Sequence, residues 1–331
     1  MLRRLSRFLH KSATNSPRMN WLLWKLKHAF KKYPRIDPEF PSLINIETVS
    51  ACNLRCIHCP SHRQGSPSPR KFGSMPLDAF LSIMDQIDGH GKRRIALHKD
   101  GEPLLHPQII SILERVKARV DHDVYLTTNG QVLTSEITQA ILAGRIDHFN
   151  VSIGAHSPQT YRKIRGGDLE RVKRNVQTFL EARSRSEWKP SVSVQIIDLE
   201  GMDLQREIAD FRRYWSSMGV ACEVWSELSW GIESQAAVSR WRYPCYSLWD
   251  SMVINSDLQV SACCIDWSQS LIVGDVSSRS IQEIWKGDAL RRNRIASRAN
   301  DFRGMELCRH CNYWQTLPMI HRSQHPEPAT P

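Results

Sequence analysis

Residues 43–59 read LINIETVSACNLRCIHC: an apolar, β-branched run that breaks into a loop carrying Cys52, Cys56 and Cys59 at spacing C-x3-C-x2-C. The run predicts a buried strand, and everything else in the chain is read outward from the loop at its end. Six more cysteines follow, five of them after residue 240. The basic start MLRRLSRFLHKSATNSPRMN (1–20) lacks the apolar stretch and small-residue cleavage site of a secretory signal. The expected compartment is therefore the reducing cytoplasm, where clustered cysteines serve metals or catalysis more often than disulfides.

Beyond the loop the chain alternates. Strand-like runs at 93–98, 122–128, 147–153, 191–197 and 221–226 are separated by segments with helical periodicity at 75–87, 107–120, 135–145, 169–183 and 204–219. With 43–50 these make six βα-type units, which imply a parallel sheet, either an open partial barrel or a doubly wound sheet. In both, chemistry belongs at the carboxyl ends of the strands. The cysteine loop, KDGEP (99–103) and Asn129–Gly130 all fall there. The alternation stops at 227–244, expected as a linker. Residues 245–318 read as a small α+β segment, with a hairpin turning near Asn255–Asp257, short helices, and the closing pair Cys308 and Cys311. A small domain short of core commonly relies on a metal. Residues 319–331 look disordered.

The net charge of +11 would suggest nucleic acid, but its distribution argues otherwise. Residues 1–36 hold ten Lys and Arg and no acid, while the remainder holds 35 basic and 34 acidic side chains. Within the arm (1–42), Trp21, Leu22, Trp24, Leu26 and Phe30 form an apolar stripe. It suits either docking on the chain's own core or peripheral contact with an anionic membrane.

Three clustered thiolates can bind zinc, bind iron–sulfur or do redox chemistry. Zinc prefers four ligands in separated pairs. A 4Fe–4S cube held by three leaves one iron open to a cofactor or substrate. CNLRCIHC after the first strand of a βα series resembles the signature of the radical S-adenosylmethionine (SAM) superfamily. The resemblance implies a partial (β/α)6 barrel over residues 43–226. It also implies a 4Fe–4S cluster on Cys52, Cys56 and Cys59, with SAM on the fourth iron and a flavodoxin- or ferredoxin-like electron donor.

Further positions follow the family one by one. His58 stands where an aromatic side chain meets adenine, and Gly101, Glu102 and Pro103 match the end of a Gly-Gly-Glu-Pro stretch at the methionine amino group. Ser152 and Arg165 match residues near the ribose or carboxylate of SAM. Two departures stand out: Asp100 replaces the first glycine of that stretch, and Gly154 replaces the usual aspartate after Ser-Ile.

Cys245, Cys263, Cys308 and Cys311, at steps of 18, 45 and 3, resemble the SPASM extension in its shortened twitch form, which implies one auxiliary 4Fe–4S cluster. Cys264 is the alternative to Cys263, Leu258 replaces a hairpin glycine, and Cys222 reads as a buried structural thiol. The layout resembles the aminocyclitol dehydrogenases of the family. That implies a sugar or aminocyclitol oxidised at a hydroxyl-bearing carbon, with Lys99, Asp100, Asp266 or His98 as candidate bases. The alternative is peptide modification, although residues 1–42 are short for a leader-binding module.

Overall fold

A computed structural model describes residues 37–66, 68–232 and 244–314. Thirty-six of the arm's residues, part of the linker and the tail lie outside them. Six parallel strands form its main sheet: β1 (Leu43–Ile46), β2 (Arg94–Ala96), β3 (Asp123–Thr128), β4 (His148–Ser152), β5 (Ser191–Asp198) and β6 (Ala221–Ser226). They lie in chain order and are joined by helices α1 (Leu77–Asp88), α2 (Ile109–Arg115), α3 (Ser135–Ala143), α4 (Pro158–Arg165), α5 (Leu169–Arg185) and α6 (Gln205–Ser217). Each strand and long helix falls within a few residues of its sequence expectation; α4 had no strong periodicity to announce it.

The two faces of the sheet differ. Along β3, Val124, Leu126 and Thr128 are buried while alternate residues are half-buried, and β5 repeats the pattern with Val192, Val194 and Ile196. The buried rows meet helix stripes such as Phe80, Ile83, Met84 and Ile87 of α1, spaced at i, i+3, i+4 and i+7. The opposite face carries polar groups, for example Asn150 donating to Ser193 Oγ at 2.7 Å. The half-buried rows of this face are not packed as core.

The carboxy-terminal segment extends this sheet. β7 (Ser251–Ile254) pairs in parallel with β1, and β8 (Gln259–Ser261) and β9 (Ile272–Asp275) follow antiparallel, giving the order β6-β5-β4-β3-β2-β1-β7-β8-β9. Pairing with β7 satisfies backbone groups that β1 would otherwise present at an edge. Helices α7 (Ser247–Asp250), α8 (Ile281–Trp285), α9 (Asp288–Ala299) and α10 (Glu306–Arg309) complete the segment. The sheet does not close. Cys222 lies on the edge strand β6 and is half-buried rather than fully buried; among the described residues no strand covers that edge.

Among the described residues, no helix is long and apolar enough to cross a membrane.

Candidate active site and iron–sulfur sites

The cysteine loop is fixed from both sides. Arg55 and Ile57 donate backbone N–H groups to the carbonyls of Arg165 and Ile164 at the end of α4, at 3.3 and 2.9 Å. From the other side the loop after β2 crosses directly over the exit of β1. Glu102 N donates to Ala51 O at 2.9 Å, and a Cβ at Gly101 would stand 2.1 Å from Val49 O and 2.7 Å from Ala51 O. Only glycine fits that crossing.

Burial makes the unmetallated thiols reluctant to ionise: it pushes Cys52 up to about 11 and Cys59 up to about 12. A metal must therefore displace protons here. Among the described residues no three His, Cys, Asp or Glu side chains close around a point as tight as a single metal ion needs. The donor set itself, three clustered thiols in an enclosed loop, fits a 4Fe–4S group with one iron left over.

The expected SAM contacts gather around the same loop. Glu102 is 2% exposed, and its carboxylate accepts from Thr128 Oγ1 at 2.6 Å, Asn129 N at 2.7 Å and Leu104 N at 3.1 Å. Burial lifts its carboxyl to about 7 against those donors. Pro103 opens the short turn Pro103–Leu105 that Glu102 caps. His58 is held down to about 3 by burial and by the nearby Arg165 cation, so it is a neutral ring. Arg165 donates to Ser152 Oγ at 2.8 Å and to Cys56 Sγ at 3.4 Å.

Lys99 and Asp100 belong to a buried network. Arg70 grips Glu47 with two N–H groups and reaches Asp100 Oδ2 at 2.9 Å, while Lys99 Nζ reaches the same oxygen at 2.9 Å and the backbone carbonyl of Asp266 at 3.0 Å. All four side chains are nearly sealed from solvent. Asp266 departs from the base role expected of it. Its carboxylate closes its own loop, accepting from Ser270 N, Ser270 Oγ and Leu271 N at 2.8, 3.0 and 2.9 Å. His98 is buried and burial holds it down to about 4.

Sequence reasoning missed Glu47 and Arg70, and placed Asn129 at a strand end without giving it a role. An acid interrupting the apolar exit of β1 was the one available signal; nothing local marks Arg70.

In the extension, Cys245, Cys263, Cys308 and Cys311 line one pocket, walled by Leu248, Ile265, Leu271, Phe302 and Leu307. Four thiols on an enclosed apolar cavity fit an iron–sulfur cluster. Cys264 does not line it. Its thiol instead takes hydrogen bonds from Cys263 and Tyr313 and lies within the field of Lys99 and Asp100. Leu258 occupies its glycine position with φ +70°, the left-handed region that explains why glycine is usual there.

These features define a radical SAM enzyme with an auxiliary iron–sulfur domain. The chain belongs to the radical SAM superfamily, whose model matches residues 46–211, and the SPASM iron–sulfur cluster-binding domain matches residues 245–312. It binds SAM, a 4Fe–4S cluster and an auxiliary cluster accordingly.

Sequence relatives include a probable GTP 3′,8-cyclase of Methanothermobacter thermautotrophicus, 27% identical over 55% of this chain and 56% of that protein. An AdoMet-dependent heme synthase of Methanosarcina barkeri is 32% identical over 43% of this chain and 40% of that protein. The chain spans about half the length of the relatives it matches.

Among solved structures, BtrN in complex with AdoMet and 2-DOIA is 20% identical with TM-score 0.55, covering 84% of this chain and 94% of BtrN. Streptococcus suis SuiB bound to precursor peptide SuiA is 14% identical with TM-score 0.56, covering 89% of this chain and 73% of SuiB. These likenesses concern the fold.

Proposed function

We propose that this enzyme oxidises a hydroxyl-bearing carbon of a sugar or aminocyclitol to a carbonyl. The observation that carries the reading is the four-thiol pocket lined by Cys263, whose neighbour Cys264 lies within the field of Lys99 and Asp100. The reaction removes a hydrogen atom from carbon, a proton from the hydroxyl and one electron. When bound, the first cluster with SAM supplies the hydrogen acceptor, a 5′-deoxyadenosyl radical, and the auxiliary cluster supplies the electron acceptor.

The chain's own residues supply orientation and the proton acceptor. The charge of Asp100 bears on both the Cys59 and the Cys264 thiols, one from each cysteine group. Its Oδ2 is occupied by Lys99 and Arg70, whereas Oδ1 accepts no hydrogen bond among the described residues. Oδ1 is our choice to receive the hydroxyl proton, with Lys99 and Arg70 fixing the carboxylate. Glu102 and its three donors orient the amino group of SAM, and the closed loop around Gly101 excludes water.

The test is an anaerobic turnover panel on the cluster-loaded chain with reductant and SAM, offering aminocyclitols and amino sugars, GTP, and serine- or lysine-rich peptides. We expect 5′-deoxyadenosine matched by a carbonyl product from an aminocyclitol or sugar. Asp100→Asn should cut carbonyl formation by about 100-fold or more while SAM cleavage persists. Stoichiometric conversion of GTP or a peptide, with cyclitols inert, would overturn the proposal. The sequence relatives and SuiB make those two arms necessary.

A further inference from the structure

Arg165 is a buried cation without a carboxylate partner. The residue is 5% exposed and forms no ion pair among the described residues. Its donors go instead to Ser152 Oγ and Cys56 Sγ, while its Nε is buried with no acceptor. Burying a guanidinium this way is unfavourable unless an anion completes it. The sulfur to which it points is a ligand of the first cluster.

The sequence shows why the guanidinium turns to sulfur. A Cβ at residue 154 would stand 2.5 Å from Arg165 Nε, 2.8 Å from Nη2 and 3.0 Å from Cζ, so the guanidinium lies flat against Gly154. With no side chain at residue 154, the space a Cβ would need is filled by the cation itself.

We infer that Arg165 is a potential-setting residue of the first cluster: its N–H···S bond to Cys56 and its unneutralised charge stabilise the reduced, more negative state. Hydrogen bonds to cluster sulfurs and net charge are recognised determinants of iron–sulfur potentials, and charge-assisted bonds in a dry site are strong ones. This role is separate from any contact with SAM, because it acts on the cluster before SAM binds.

The experiment is an EPR-monitored redox titration of the full chain without SAM. The background is Cys308→Ala with Cys311→Ala, so that one cluster reports. Arg165→Gln should lower the ratio of reduced to oxidised cluster at a fixed potential by about tenfold, a shift of about 59 mV for one electron. Arg165→Lys keeps the charge but loses the sulfur contact and should shift part of the way.

An Arg165→Gln protein with full iron and an unchanged midpoint would overturn the inference. Should that variant fail to load iron, Gly154→Ala decides. Its Cβ pushes the guanidinium off without changing net charge, so the midpoint must still fall, and an unmoved midpoint overturns it equally.

Discussion

Glu102 lies where the loop after β2 crosses the exit of β1, and its burial has a thermodynamic signature. Burial penalises the charge and lifts the carboxyl to about 7 in the folded chain, from an ordinary value of 4.5. Between those values the folded state holds a proton that the unfolded chain gives up. The group therefore supports folding at pH below 4.5, and that support is lost as pH rises through 7. From pH 5 to pH 8 the loss amounts to about 2 kcal/mol at roughly 1.4 kcal/mol per unit. Glu102→Gln stays neutral throughout and escapes it. Urea unfolding of the SAM-free protein at the two pH values should show the variant gaining about 2 kcal/mol on the wild type over this range; a constant difference would contradict the assignment. At this scale the sequence was legible where local sterics dictate the residue, as at Gly101, and where spacing dictates it, as in the cysteine loop. It was silent on Arg70, whose partners Glu47 and Asp100 lie 23 and 30 residues away.

Elements bring the carboxy-terminal thiols together from separate stretches of chain. Cys308 lies on α10 and Cys311 just past its end, and α10 is pinned by the first residues of the linker. Ser229 Oγ donates to His310 O at 2.8 Å, Asn312 Nδ2 donates to Glu227 O at 3.3 Å, and a Cβ at Gly231 would stand 2.5 Å from Leu307 O. Cys263 arrives from the turn after β8, and Cys245 from the residues before α7. Cys308→Ala with Cys311→Ala should remove about half the iron from anaerobically reconstituted protein and leave SAM cleavage running uncoupled. Cys52→Ala with Cys56→Ala and Cys59→Ala should remove the other half and abolish 5′-deoxyadenosine. Cys264→Ala should keep both clusters, since Cys264 is not among the residues lining the pocket. Zinc in place of iron in protein purified without oxygen would remove the proposed electron acceptor. The hairpin and short helices of this region could be read from turn residues and periodicity. The parallel pairing of β7 with β1 could not, because strands over 200 residues apart leave no local trace of their contact.

On the scale of the whole molecule, the point where the arm joins the body is firmly held. Asp37 accepts from Trp249 Nε1 at 3.1 Å and lies 3.4 Å from Arg294 Nη1, Pro38 O accepts from Trp285 Nε1 at 2.6 Å, and Glu39 pairs with Lys286. Phe40 stacks on His90 at 3.8 Å. Residues 1–36, which carry ten positive charges and no acid, precede this held point in the sequence. If the arm serves a membrane, each Lys or Arg near an anionic surface adds about 1 kcal/mol, weakened by salt. If it serves the fold, Trp21, Trp24 and Phe30 cover apolar surface that truncation exposes. Our expectation is the second. Deleting residues 1–36 should lower the melting temperature of the loaded protein by several degrees, since about 1 kcal/mol moves a chain of this size by roughly 2 °C or more. The full chain should not sediment with anionic liposomes at low or high salt. Salt-sensitive sedimentation together with an unchanged melt would reverse the conclusion and assign the arm to the membrane surface.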